Sequence, residues 1–369
     1  MEISIIATIC KETGALSIYN QMMNHLIAVK SKDERYYIFI DPSMPRFAIE
    51  GVRYIEYATN GLKRIKFDLY DFKKICQQCG IEPDVIFSLN NTGVRCPGVR
   101  QIIYYHQGLP LYDYHFSLAD KRDRGIGLFT KLYPHYVKWS LKSHTSVVVQ
   151  TEIVKRLFVK RYHFPAERVY VAFPDVEKID VETVYPFEYE PNTFNFIYPS
   201  TSPSYKEHIT LIRALQTMND DDLRRRIRIH LTIKDNERED LRCLIDTAGL
   251  KHNIVFHGPM PHEQLLSMYK TADGLLFPSV IETIGLPLLE AAAFGLPVLA
   301  NDLEYVKDVL KGYDGLKTVP LRDYKAWGKE MAKLCKDKQR YNSYHREGGS
   351  DWPKILELIH GEETNYTEE

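Results

Sequence analysis

The sequence predicts an α/β protein made of two parallel-sheet domains that face a central cleft. Three observations carry this expectation. The chain has 369 residues, more than one hydrophobic core usually serves, so two domains are the default. Short β-branched or aromatic runs alternate with helix-length amphipathic stretches along most of the chain, the pattern of βαβ units. Near the middle, a stretch rich in acids and flanked or punctuated by Pro174, Pro186 and Pro191 breaks the alternation and reads as an interdomain connection.

Element by element, the first half offers strands at Ile3–Ala7, Tyr36–Ile40, Tyr54–Tyr57, Val85–Asn90, Gln101–His106, Ser146–Gln150 and Val169–Phe173. The second half offers Phe194–Pro199, Ile227–Ile233, Ile254–His257, Gly274–Pro278, Pro297–Ala300 and Leu316–Val319. The expected division is a first domain at 1–175, a linker at 176–192, a second domain at 193–345, and a terminal helix with a disordered polar tail at 346–369. Open parallel sheets bind ligands beyond the carboxyl ends of their strands, so two such sheets place one substrate on each wall of a cleft. That arrangement suits a transferase.

Composition narrows the class. With 44% hydrophobic and 26% charged residues and a formal net charge of −1, the chain lacks the basic excess of a nucleic-acid binder. The opening Met1–Ala7 carries an early acid and no basic region, so it reads as a strand and not a signal peptide. No run reaches the 18 or more apolar residues of a membrane span. Six cysteines are scattered without the spacing of a disulfide framework, which fits a reducing compartment and a cytoplasmic location. Cys76 and Cys79 form a CxxC, but no second pair completes a metal site, so no metal is assigned.

The most informative stretch runs from Phe277 to Ala291, FPSVIETIGLPLLEA. A buried strand ends at Pro278-Ser279, a turn presents Glu282, and Gly285 precedes a helix with Pro287 near its first position. The first helical turn offers free backbone N–H groups, an anion site, and the missing side chain at Gly285 lets a diphosphate approach. Glu282 before the terminus and Glu290 about one turn in are suited to accepting hydrogen bonds from hydroxyls, such as those of sugars.

This stretch resembles the retaining glycosyltransferases of family 4 (glycosyl transferases group 1), whose Glu-x7-Glu motif has this form. Glu282 and Glu290 match its two acids, and Gly295-Leu296-Pro297-Val298 matches its following strand entry. The resemblance implies the GT-B fold of two Rossmann-like domains and transfer of a hexose from a UDP- or GDP-sugar with retention. It also implies chemistry without a metal; the nucleotide-sugar is a substrate, and no cofactor is expected. Glu282 then contacts the donor sugar, Glu290 the ribose, and the backbone of Ile284, Gly285 and Leu286 the diphosphate. Lys206 matches the family lysine on the diphosphate, while the family arginine falls at about Ser200, a departure that removes one cation. Gly258 and Met260 match the turn beside the base, and His262 is read as an ordinary residue at a helix start. In the first half, Gly14 matches the glycine loop, although the family usually has two adjacent glycines. His106 matches a histidine that aligns the donor sugar, and Gln150-Thr151-Glu152 a polar cleft position. Asp175 stands where a glycine is common.

The implied acceptor is a saccharide or lipid-linked saccharide of cell-surface polysaccharide. Six Lys/Arg residues between Lys121 and Lys142, with Lys155-Arg156 and Lys160-Arg161 beyond, are either solvated helix faces or a surface for anionic lipid on the inner face of the membrane. Three other readings stay open: a sugar-nucleotide epimerase of the same fold, a phosphorylase, and a non-catalytic sugar-nucleotide-binding partner of another transferase. The donor base, uracil or guanine, is left open too.

Overall fold

The computed structural model describes residues 1–11, 13–29, 33–117, 121–346, 348 and 350–361. Beyond Gly361, the tail expected to be disordered lies outside the described residues. By contact the chain divides into two compact units. The first holds Met1–His115, Ile126–Asp175 and the described residues from 350 onward, and the second holds Phe116–Gly125 and Val176–Gly348.

Each of the thirteen expected strands is present within two residues of its expected ends. In the first unit these are β1 (Glu2–Ile6), β2 (Arg35–Ile40), β3 (Val52–Glu56), β4 (Val85–Ser88), β5 (Arg100–Tyr105), β6 (Thr145–Val149) and β7 (Val169–Val171). They form one parallel sheet in the order β3-β2-β1-β4-β5-β6-β7. In the second unit, β8 (Phe194–Tyr198), β9 (Ile227–Leu231), β10 (Ile254–Phe256), β11 (Gly274–Phe277), β12 (Val298–Asn301) and β13 (Leu316–Val319) form another. Its order is β10-β9-β8-β11-β12-β13, again parallel throughout.

Both sheets start at a central strand, build outward to one side, and then return to build on the other. The reversal falls between β1 and β4 in the first unit and between β8 and β11 in the second. Consecutive parallel strands need crossovers, and helices serve as most of them here. The strands that they cover are buried on both faces: β8, β11 and β12 are buried at every position, which is why they read as unbroken apolar runs and not as alternating ones.

The terminal helix lies in the first unit as Trp352–His360. Trp352, Ile355, Leu356 and Ile359 join Ile3, Ile5, Tyr19 and Met22 in one core cluster. The Trp352 indole stacks on Tyr104 at 5.8 Å and donates from Nε1 to Gln21 at 3.1 Å. Gln21 also exchanges two hydrogen bonds with the backbone of Asp175, whose carboxylate meets His25 at 2.7 Å. Asp175, at the glycine position of the family pattern, is therefore tied into the first unit by its side chain.

The connection is fastened to the second unit. Lys270 donates to the carbonyls of Val181, Glu182 and Val184, and Tyr189 donates to that of Met268. Cys76, of the CxxC pair, is buried, and burial pushes its thiol up to about 12, so at neutral pH it is a packed thiol and not a nucleophile. No helix among the described residues is long and apolar enough to cross a membrane.

Because Trp352 is fully buried and anchors this last helix, Trp352→Ala is expected to destabilise the protein by about 3–5 kcal/mol. Chemical denaturation of the variant against the native chain measures it.

Candidate active site

The two loops that leave the reversal point of the second sheet carry most of the candidate residues. After β8 the chain runs through Pro199–Pro203 into a tight turn at Ser204–Lys206, and Glu207 starts the helix His208–Gln216. Glu207 has φ +52°, a conformation that costs a non-glycine residue roughly 1–2 kcal/mol. Its buried carboxylate is held by the guanidinium of Arg322, with Nε at 3.0 Å, and by the hydroxyl of Thr210 at 3.2 Å. The neighbouring Lys206 carbonyl accepts from Tyr198 Oη at 2.6 Å. The backbone on either side of Lys206 is thus fixed.

After β11 the second loop is pinned from below. Tyr305 Oη donates to the Ser279 carbonyl at 2.7 Å, Asn301 Nδ2 donates to that of Pro278, and Val280 N donates to that of Tyr205 at 2.9 Å. The last bond ties the two loops together. Glu282 and Lys206, 76 positions apart, meet with Nζ to Oε1 at 2.5 Å. Both side chains are largely buried, 13% exposed for Lys206 and 16% for Glu282, so Lys206 is no solvated first-turn lysine.

Gly285 then turns the chain into the helix Leu286–Ala293 with φ +82° and ψ +58°. A Cβ there would lie 3.1 Å from Leu288 Cδ1, so conformation and space both favour glycine. Pro287 sits in the first turn as expected, Ile284 is buried, and Leu286 is 40% exposed. Glu290 lies one turn in, with its carboxylate 14% exposed. Its two oxygens are already engaged, Oε1 by His262 Nε2 at 2.9 Å and Oε2 by Tyr269 Oη at 3.2 Å.

His262, read from sequence as an ordinary helix-start residue, is thus joined to Glu290. Nothing in the local pattern announced it, because the two lie on different helices. The hydrogen bond to Glu290 raises the pKa of His262, against the opposing effect of partial burial, and the charges of Glu290 and Glu177 raise it further.

Gly258 follows β10 with φ +72° and lies against the stem of Lys234, with Met260 two residues on at intermediate exposure. Ser200, where the family arginine falls, gives its hydroxyl to a bond with His208 Nε2 at 2.8 Å, and its N–H donates to Thr232 Oγ1 at 2.9 Å. His208 is held neutral: burial above all, with Arg238 and Lys206 adding to it, lowers its pKa to about 3. Arg238 was missed in the sequence. It reaches this loop and donates to the Ser202 carbonyl at 2.8 Å, but its guanidinium is committed to Asp240 through two bonds of 2.8 Å. With its Nε and Nη2 turned to Asp240 and one Nη1 donor on the Ser202 carbonyl, the guanidinium is fixed beside the loop. Asp220–Asp222 has an Asp-x-Asp spacing, and the structure gives these acids other partners. Asp220 caps a helix by accepting from Leu223 N at 2.9 Å, and Asp221 and Asp222 pair with Arg224 and Arg225.

Gly14 and His106 belong to the first unit. Gly14 is exposed in the first turn of the helix Thr13–Val29, and a Cβ there would meet nothing within 4 Å. His106 follows β5, its N–H donates to Asn91 Oδ1 at 2.7 Å, and its ring lies edge-on to Tyr104 at 5.7 Å. Burial lowers its pKa to about 4, so at pH 7 it is a neutral ring suited to alignment. Gln150 and Thr151 are buried; Gln150 donates to Tyr104 Oη at 3.4 Å, and Thr151 caps the helix Glu152–Tyr162. Both positions therefore have structural duties. No group of three or more His, Cys, Asp or Glu suited to a metal occurs among the described residues.

Comparison with known proteins follows the same division. Residues 188–350 match the family Glycosyl transferases group 1. The second half of the chain carries a glycosyltransferase group 1 domain. Among curated relatives, D-inositol 3-phosphate glycosyltransferase of Corynebacterium jeikeium is 33% identical over 102 residues, 28% of this chain and 24% of that protein. The O-antigen chain mannosyltransferase RfbU of Salmonella typhimurium is 24% identical over 221 residues, 58% of this chain and 59% of that protein. The chain spans about a quarter of the length of the curated relatives it matches first.

Solved structures share the fold along nearly the whole chain. WaaG, a glycosyltransferase involved in lipopolysaccharide biosynthesis, superposes with a TM-score of 0.67 at 14% identity, covering 98% of this chain and 100% of that one. Anabaena HepE in complex with UDP-glucose gives 0.59 at 16% identity, covering 97% and 95%. The fold is the GT-B arrangement of two parallel-sheet α/β domains.

Two outcomes follow from this geometry. Gly285→Ala is expected to lose about 1–2 kcal/mol in chemical denaturation, because the left-handed turn strains any side chain. Stability is also expected to fall in acid. His106 and His208 have folded pKa values of about 4 and 3, below the ordinary value of about 6.5 in the unfolded chain, so the unfolded chain binds more protons in that window. Their contribution is complete above about pH 6.5 and is lost as pH falls through the folded values. Denaturation midpoints recorded from pH 7 to pH 4 check the direction.

Proposed function

We propose that this chain is a hexosyltransferase of family 4, metal-independent and retaining. It moves a sugar from a UDP- or GDP-sugar to a saccharide or lipid-linked saccharide in cell-surface polysaccharide synthesis. The observation that carries the reading is the buried Lys206–Glu282 pair beside the Gly285 helix terminus, at the reversal point of a doubly wound sheet where such folds bind ligands. The relatives support it: HepE binds UDP-glucose, and RfbU is a mannosyltransferase of O-antigen chains.

In this reading the diphosphate lies against the backbone of Ile284, Gly285 and Leu286, where the helix terminus offers N–H donors and a favourable dipole. Lys206 has three N–H donors; Glu282 uses one in the free chain, which aims the ammonium while leaving donors for phosphate oxygens. As the donor enters, Glu282 accepts from the sugar hydroxyls. Glu290 accepts from the ribose, the turn at Gly258 and Met260 borders the base, and Ser200 lends a hydroxyl in place of a charge. His106 aligns the sugar as a neutral ring, and Gly14 leaves open backbone for donor or acceptor. Catalysis comes from holding the acceptor hydroxyl against the anomeric carbon and stabilising the departing diphosphate, which takes the acceptor proton.

The absent arginine favours one rival, a non-catalytic sugar-nucleotide-binding partner, since Arg238 is committed to Asp240. Turnover by the isolated chain would dispose of it. Product formed from the donor with no acceptor present would favour the epimerase.

The deciding experiment is a thermal-shift panel of UDP-, GDP-, ADP- and CMP-sugars with Glu290→Ala and Lys206→Ala as controls. At a hundredfold excess over Kd the native chain gains about 2.7 kcal/mol by linkage. A rise with one base, lost in both variants, is the expected result; no rise with any of them would sink the donor-site reading.

The proposed location is cytoplasmic, on the inner face of the membrane. On the helix Lys121–Ser140, Leu128 and Leu132 are 52% and 59% exposed, and the nearby Lys131 and Lys138 are exposed as well. A mixed apolar and cationic face suits an anionic bilayer. Co-sedimentation with anionic vesicles, reduced by Leu128→Ser with Leu132→Ser and absent with neutral vesicles, is the expected outcome.

A further inference from the structure

We propose that His262 is a proton-linked latch on the nucleoside end of this site. Its ring occupies Glu290 from the solvent side, and the ribose hydroxyls of a nucleotide-sugar enter by taking its place. This rests on the reading of Glu290 as the ribose acceptor and adds a residue to which neither the family resemblance nor the sequence gave a role.

The two partners of Glu290 are unequal. Tyr269 is fully buried and reaches Oε2 from inside the unit at 3.2 Å. His262 is 48% exposed and reaches Oε1 at 2.9 Å from the first residue of the helix His262–Thr271, just past the turn that includes Pro259 and Pro261. The inner partner is fixed by packing, and the outer one has room to leave. A ribose diol offers two neighbouring hydroxyls, and it needs carboxylate oxygen facing the opening. That oxygen is where the imidazole now sits.

The groups acting on His262 come from three segments. Glu290 lies on the helix Leu286–Ala293, Glu177 lies in the connection after the first unit, and Tyr269 faces the other Glu290 oxygen from His262's own helix. Both charged neighbours are acids, so the latched ring holds its proton more tightly than a free imidazole does, with the Glu290 hydrogen bond as the main cause. Once displaced, the ring loses that bond and holds its proton less tightly, so above the ordinary histidine value of about 6.5 part of it passes to solvent. Donor binding therefore releases a proton and weakens as pH falls. A merely structural His262 would stay on Glu290 and leave binding indifferent to pH.

The test is calorimetric titration of the full chain with UDP-glucose and GDP-mannose, whose diphosphates are diesters and do not titrate near neutrality. It is run at pH 6, 7 and 8 in two buffers of different ionisation enthalpy, on the native chain and on His262→Asn. In the native chain the binding enthalpy is expected to depend on the buffer between the ordinary histidine value of about 6.5 and the raised value of the latched ring, and to lose that dependence well above it. In that window affinity should rise with pH, by at most about tenfold per pH unit. In His262→Asn the buffer dependence vanishes and affinity is flat with pH; an unchanged melting temperature of the free variant shows that its fold is intact. Binding with no proton release in the native chain, or equal release in both proteins, overturns the latch and leaves the donor site standing. Absence of binding to either nucleotide-sugar overturns the donor-site reading and the latch together.

Discussion

The constraint on which the candidate site depends is the reversal of strand order in the second sheet. All its strands are parallel, so every connection must cross back over a face, and the chain covers both faces by building β9 and β10 on one side of β8 and β11 to β13 on the other. At the reversal the loops after β8 and β11 leave adjacent strands toward opposite sides, and a gap opens between them. Lys206 and Glu282 stand on those neighbouring loops and meet. Their contact follows from topology, since they lie 76 positions apart in the chain.

An ion pair so placed has a chemical use more evident than a stabilising one. Removing two charges from water costs several kcal/mol per ion, and mutual attraction recovers that only with good geometry. Here the surroundings supply the geometry. Glu207 is kept in a left-handed conformation by Arg322, Tyr198 binds the Lys206 carbonyl, and Val280 N–H binds the Tyr205 carbonyl. Each bond restrains backbone next to a charged side chain. The two charges are held in an arrangement that neither loop would set alone, and in the proposed function this is pre-organisation for the donor.

The first unit uses the same logic with different chemistry. The loop after β4 supplies Asn90 and Asn91, which bind the Ile9 N–H and the His106 N–H, so the ends of β1, β4 and β5 are knit together. Behind them, buried Arg64 pairs with Asp68 and donates to the Asn90 carbonyl. The polar atoms at this end of the sheet largely serve each other. The helix Trp352–His360 closes the unit from the far end of the sequence, and its indole against Tyr104 and Gln21 links that helix to Asp175.

The sequence by itself determined the elements and pointed to the motif proposed for the donor. Strands buried on both faces appear as apolar runs, left-handed turns select glycine at Gly258 and Gly285, and Pro287 marks a helix start, because these are demands a residue meets with its nearest neighbours. Glu282, Glu290 and Lys206 could be proposed for the same reason: each lies in a loop or within about two turns of a helix start whose pattern is local. Only the tertiary structure decided what those residues touch. The Lys206–Glu282 pair, the hold of His262 and Tyr269 on Glu290, the reach of Arg238 to the Ser202 carbonyl, and the return of Trp352 to the first core all join segments far apart in the chain. Such partnerships are set by strand order and helix packing, and no spacing along the sequence encodes them.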